Sequence, residues 1–294
     1  ISTRVMIVVV AGVAVLMSFA LRMDLNMTEA EQEALGQETG TESQVPAESF
    51  SSGFSDGWAS AEEGSTEDDL TFGITAQADE SWIGNDMKVG DILMSELRGC
   101  MLVVFIAIFV PLFVNAEQKR GYIKNIAGQI PRREMLALSK LPAVAVQVFI
   151  LFAVFTIANL VSSAIFFRGR LIFEFNGALF RMLGMQYMIH AAWGCLIALF
   201  TIVTRSTAFA MTTGILLASG LVEMLIMYLN RVIQSFLPSA EQFNLMRYTL
   251  NYATEAMSAQ STMRQIGGFM TLALVYIAAS AVIAGIVYHK RDVR

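Results

Sequence analysis

The chain has 294 residues, of which 55% are hydrophobic and 15% charged, well short of the roughly 25% charge usual in soluble domains. That balance excludes an ordinary soluble enzyme, and no nucleic-acid partner is expected. Charge is also segregated: residues 23–97 carry 18 acidic side chains against one basic, Lys88, a net of −17, while the remainder nets +12.

Position 1 is Ile, which leaves the natural N-terminus open. The first apolar run, Val5–Leu21, has no small-residue cleavage site after it and reads as a retained anchor rather than a signal peptide. A helix needs about 20 apolar residues to cross a hydrocarbon core. Five further runs approach or meet that length: Cys100–Val114 (short unless extended to Leu97–Asn115), Pro142–Phe167, Leu183–Thr204, Ala208–Tyr228 and Gly268–Tyr288. An all-α integral membrane protein with six spans is therefore expected, divided into residues 1–22, 23–97, 98–116, 117–140, 141–228, 229–267 and 268–294.

Between the first two spans, Thr28–Asp69 is rich in Glu, Ser, Gly and Thr, a composition typical of disorder. Phe72, Ile74, Trp82, Ile83, Val89, Ile92 and Leu93 suit a small lid over the membrane surface. Glu67, Asp68 and Asp69 lack EF-hand spacing, so no metal is expected there. Arg205–Ser206–Thr207 alone separates the fourth and fifth spans, a tight hairpin. In residues 229–267, Pro238–Ser239 with Gln242 reads as a capped helix start. Phe243, Met246, Leu250 and Met257 follow at roughly helical spacing, with Glu241, Arg247 and Glu255 interspersed, which suits an interfacial or re-entrant helix.

With residue 1 placed in the cytoplasm, the inner connections carry 11 basic residues and the much longer outer ones nine. The positive-inside rule then puts both termini in the cytoplasm and the acidic segment 23–97 outside.

Cys100 and Cys195 are the only cysteines and His190 and His289 the only histidines, too few for a metal centre and most simply helix-packing residues. GxxxxGK[ST], HExxH and GxSxG are absent, so no phosphate-cradling loop or hydrolytic motif belongs to this chain. The informative stretch joins the second and third spans. It runs Glu117-Gln-Lys-Arg-Gly121-Tyr-Ile-Lys124-Asn125-Ile-Ala-Gly128-Gln-Ile-Pro131-Arg132-Arg133-Glu134 and reaches Ser139–Lys140. Gly121 and Gly128 permit sharp turns, Pro131 suits the first turn of a helix, and Glu134 complements that helix's positive end. Basic anchoring alone does not require so long a connection, since Arg205–Thr207 turns in three residues.

Glu117, Gly121–Asn125, Arg133–Glu134 and Ser139–Lys140, in that order between two spans, resemble the inner loop of ABC-2 type transporter permeases, nearest the branch serving lantibiotic immunity and small-peptide export. The resemblance covers the six-span layout and this loop. It implies a bacterial plasma-membrane permease, paired with a second copy or a sibling, on two ABC ATPase subunits that bind ATP and Mg; this chain itself binds no cofactor and is no enzyme. Carried over by position, Glu117, Gly121, Lys124 and Arg133 contact the ATPase. The family's amphipathic helix before the first span is not seen here, and residues 23–97 exceed the usual first outer loop.

Within the spans, His190 and Glu223 each fall about 8–10 Å below the outer ends of the fourth and fifth spans. They are expected to share a hydrogen bond, as a structural pair or as a polar spot on a substrate route. Gly214 with Ala218, and Ala281 with Gly285, have the small-residue spacing of close helix contacts, and some of the 18 methionines suit an adaptable apolar cavity. The expected function is export of a small amphipathic or cationic peptide or apolar toxin. Alternatives are transport of ions, drugs or an envelope precursor, or a membrane sensor using residues 23–97.

Overall fold

The computed structural model describes residues 3–37, 86–119, 134–167, 169–236, 244–257 and 261–290. It is almost entirely helical: α1 (Thr3–Gln37), α2 (Val89–Arg98), α3 (Met101–Lys119), α4 (Glu134–Phe166), α5 (Gly177–Thr204), α6 (Thr207–Ala218), α7 (Leu221–Phe236), α8 (Leu250–Ala256) and α9 (Met263–Lys290). A 3₁₀ turn, Leu245–Tyr248, precedes α8. Two short strands, β1 (Met87–Lys88) and β2 (Leu171–Ile172), pair in parallel.

Among the described residues, four helices are long and apolar enough to cross a membrane: Thr3–Met23 of α1, Leu138–Phe166 of α4, Gly177–Thr204 of α5 and Met263–His289 of α9. Two bent pairs, α2 with α3 and α6 with α7, raise the number to six if each is one span. The protein is thus a helical, multi-pass membrane protein. Many apolar side chains on α1, α4 and α9, among them Val8, Val146 and Val282, are exposed, the outward apolar face a helix presents to lipid.

Three local findings differ from the sequence reading. First, α1 continues to Gln37, ten residues into the stretch whose composition suggested disorder. Thr28–Gln37 is rich in Glu, Ala, Gln and Leu, strong helix formers, and growth from an existing helix avoids the nucleation cost. Second, Ala208–Tyr228 is not one continuous helix. It breaks at Ser219–Gly220, where Gly220 has φ +77°, and the axes on either side differ by 60°. Left-handed backbone at a helix end suits glycine. Third, the second span is preceded by α2, which meets α3 at 55° across Gly99–Cys100. Cys100 has φ +53°, a region a non-glycine residue enters only at a cost. The remainder of the expected lid, residues 70–85, and the expected capped start at Ser239 and Gln242 lie outside the described residues.

Helix α5 is the centre of the bundle and packs on α3, α4, α6 and α9. Close crossings are made by small residues. A Cβ on Gly194 of α5 would meet Val148 at 2.6 Å, and one on Gly214 of α6 would meet the Ala107 methyl at 2.7 Å. A Cβ on Gly285 meets nothing within 4 Å, so the Ala281–Gly285 spacing makes no such crossing among the described residues. At the tight turn, α5 ends on left-handed Arg205 and α6 begins under a Ser206 cap, whose hydroxyl accepts the Phe209 N–H at 3.2 Å.

Helix α1 holds α4 through a buried polar chain. The Ser162 hydroxyl donates to Ser18 Oγ at 2.6 Å, and the Ser18 hydroxyl donates to Asn159 Oδ1 at 3.4 Å. In an apolar surround such hydrogen bonds favour helix association where hydrophobic burial offers little drive.

Candidate functional site

A second group of buried polar residues gathers around α8. Thr249 caps that helix, its Oγ1 accepting the Tyr252 N–H at 3.2 Å, and every neighbour contributes a tether. From α5, Gln186 Nε2 donates to the Thr254 carbonyl at 3.2 Å, and Trp193 Nε1 donates to Thr254 Oγ1 at 3.4 Å. From α9, the Tyr276 hydroxyl donates to the Tyr248 carbonyl at 3.0 Å. Arg98, at the end of α2, donates from Nε to the Met257 carbonyl at 2.9 Å. Asn251 Nδ2 donates to the Leu217 carbonyl at 2.6 Å, satisfying one of the acceptors left open where α6 stops.

Gln186 and Trp193 straddle the midpoint of α5, so Thr254 sits about halfway along that span. Helix α8 therefore packs against the middle of α5 rather than beyond either of its ends. Met246, Leu250 and Met257 are buried, as are Asn251 and Thr254; Phe243 and Glu241 lie outside the described residues.

Glu223 and His190 do not form the expected pair. The Thr249 hydroxyl donates to Glu223 Oε1 at 2.8 Å, with the Asn251 side chain and the Tyr252 backbone N–H beside the carboxylate. His190 instead faces its own helix, with Nδ1 2.7 Å from the Gln186 carbonyl. A carbonyl only accepts, so Nδ1 carries the proton there. The Phe152 ring lies 5.7 Å from the imidazole. The reason for the miss is the break at Gly220. Glu223 lies in the first turn of α7, beyond a 60° bend, so counting depth along a straight hairpin misplaces it.

One further carboxylate, Glu255, joins the region; from sequence it is expected on an interfacial or re-entrant helix. Glu255, in the last turn of α8, points to the other helix break: its Oε1 lies 4.0 Å from Cys100 Sγ. It is also within electrostatic reach of Glu223, and the Cys100 thiol is within reach of both. Glu96 of α2 is 1% exposed and Glu223 2%. Neither Glu96 oxygen, nor Oε2 of Glu223 or Glu255, has a hydrogen-bond partner among the described residues. A carboxylate sequestered without a partner is costly, and such groups are retained in membrane spans chiefly where a route for substrate or ions passes. Among the described residues no three His, Cys, Asp or Glu side chains converge as a metal site would require.

Of the residues expected to meet an ATPase, Glu117 lies on the last turn of α3, while Gly121, Lys124 and Arg133 fall outside the described residues. Compared with known proteins, the chain matches no family model, no curated protein and no solved structure.

Proposed function

We propose that this chain is the membrane-spanning permease subunit of an ATP-binding cassette exporter of the ABC-2 type. It would move a small amphipathic substrate outward on energy supplied by two copies of a separate ATPase. The observation that carries the transport reading is the coincidence of three features. Two apolar spans break, α8 bridges the two breaks, and the carboxylates of Glu223 and Glu255 come together there with no cation among their described partners. Interrupted helices at membrane depth are tolerated where they are packed in protein or line a path, and in transporters they build substrate sites. An inert anchor has no need of any of the three.

The ATPase partnership rests on the loop resemblance at Glu117, Gly121–Asn125, Arg133–Glu134 and Ser139–Lys140. The positive-inside balance supports a plasma-membrane orientation with both termini in the cytoplasm, which places that loop on the ATPase side and α8 on the exit side. The mechanism follows. Closure of the ATPases pushes the loop, α3 and α4 shift with it, and the angle between α2 and α3 and that between α6 and α7 change together.

The test is co-purification of the full chain with an ATPase from its own cells, followed by charge reversal. Glu117→Lys and Arg133→Glu, inserted at normal levels, are expected to abolish transport while hydrolysis persists. Normal transport in both variants, or the absence of any associated ATPase, overturns the reading. In the latter case residues 23–97 become the place to look for a sensor's ligand.

A further inference from the structure

Between the start of α1, the second half of α3 and the first half of α4, three helices enclose a cavity of about 450 Å³. Its walls are Met6 of α1, Phe109 and Phe113 of α3, and Ala143, Val146 and Gln147 of α4, among others. The volume lies within the range of small-molecule sites. Among the described residues no lining residue is charged, and Gln147 and Thr3 are the only polar ones.

The Gln147 side chain is half committed. Its Nε2 donates to the Phe109 carbonyl at 3.3 Å, while Oε1, buried, has no partner among the described residues. A buried amide oxygen left unpaired costs roughly 1–3 kcal/mol, which a hydrogen-bond donor on a bound molecule would relieve. Access is through lipid: Val146, on the rim, is 60% exposed on a membrane-crossing stretch of α4, so the mouth faces the hydrocarbon.

We infer that this cavity is a binding site for a single-chain amphiphile with an uncharged donor head, an alcohol or amide, whose chain packs on Phe109 and Phe113 and whose head reaches Gln147. Charged heads are disfavoured because no described wall residue offers a counter-charge. Under the orientation proposed above, the site draws from the cytoplasmic leaflet and holds the apolar part of the substrate before it passes toward Glu223 and Glu255. The leaflet and the transport role rest on the permease reading, whereas the cavity and its ligand chemistry do not.

The experiment uses the full chain in phosphatidylcholine nanodiscs, without an ATPase. It is photolabelled by a long-chain aliphatic diazirine alcohol and, separately, by the methyl ether of the same molecule, which lacks the donor. Alcohol adducts are expected to concentrate on residues 109–116 and 143–150 and to exceed ether adducts there by about fivefold, the worth of one hydrogen bond. Ala143→Phe, which fills the cavity, is expected to remove the excess, and Gln147→Leu to bring the alcohol down to the level of the ether. Adducts spread over α1, α4 and α9 in proportion to exposure overturn the inference, as does equal labelling by alcohol and ether in the unmutated protein. Because the ATPase is absent, failure here leaves the permease reading standing, and failure of that reading leaves the site intact.

Discussion

Thr249 does two jobs with one hydroxyl: it caps α8 and donates to Glu223 Oε1 at 2.8 Å. Thr249→Val keeps the shape and removes both, leaving a buried carboxylate oxygen without a donor. Loss of about 1–3 kcal/mol is expected, measured as a fall in thermal unfolding temperature in detergent. An unchanged transition means that Glu223 is satisfied by other groups. Gly214 offers a second residue-scale test. Its Cβ position lies 2.7 Å from the Ala107 methyl, so Gly214→Leu is expected to cost roughly 1–3 kcal/mol by overpacking, read from the same transition, whereas Gly285→Leu, in open space, is expected to leave it nearly unchanged. Sequence made both glycines equal candidates, because four-residue spacing of small residues says nothing about what faces them. The same holds for Glu255, which looks like a polar residue on an interfacial helix until α8 is seen to turn it toward Cys100.

At the scale of elements, apolar run length was a sound guide to where helices lie, since a hydrocarbon layer demands it whatever the neighbours. It was a poor guide to continuity. Ser219–Gly220 sits inside an unbroken apolar stretch, and only Gly220 with Glu223 shortly after it hinted at a helix end and a new start. The depth of α8 was equally hidden. Its amphipathic pattern suits a headgroup plane as well as a polar niche, and it is the contacts with Gln186 and Trp193, some sixty residues away in sequence, that set it against the middle of α5. Pairing of α1 with α4 makes a cleaner prediction. Ser18→Ala and Ser162→Ala each remove one end of the 2.6 Å hydrogen bond, so a double-mutant cycle is expected to show coupling of about 0.6 kcal/mol, the average for such bonds between membrane helices. Strict additivity in reversible unfolding in mixed micelles would show that the bond contributes nothing.

For the whole molecule, the six crossings of the proposed reading would put the start of α1 and the end of α9 on one side. Cysteines introduced at Thr3 and His289 are expected to react with an impermeant maleimide only after cells are opened, while one at Asn244 reacts in intact cells. Native Cys100 and Cys195, both buried and free, are expected to stay unmodified under the same conditions. Labelling of Thr3→Cys from outside would invert the orientation and with it the assignment of the loop at residues 117–140 to the ATPase side.

Helix α8 also constrains the order in which the protein is made. Seven residues rise only about 10 Å, far too short to cross a bilayer, and its Asn251 and Thr254 side chains would enter lipid at a loss without partners. The insertion machinery therefore has no reason to deliver it into the membrane as the chain emerges. Its receptors on α5 and α7 precede it from the ribosome, but Tyr276 of α9 follows it. The segment from Leu245 to Met257 is therefore expected to complete its contacts only after α9 has been inserted, so that the carboxylates of Glu223 and Glu255 meet late in maturation.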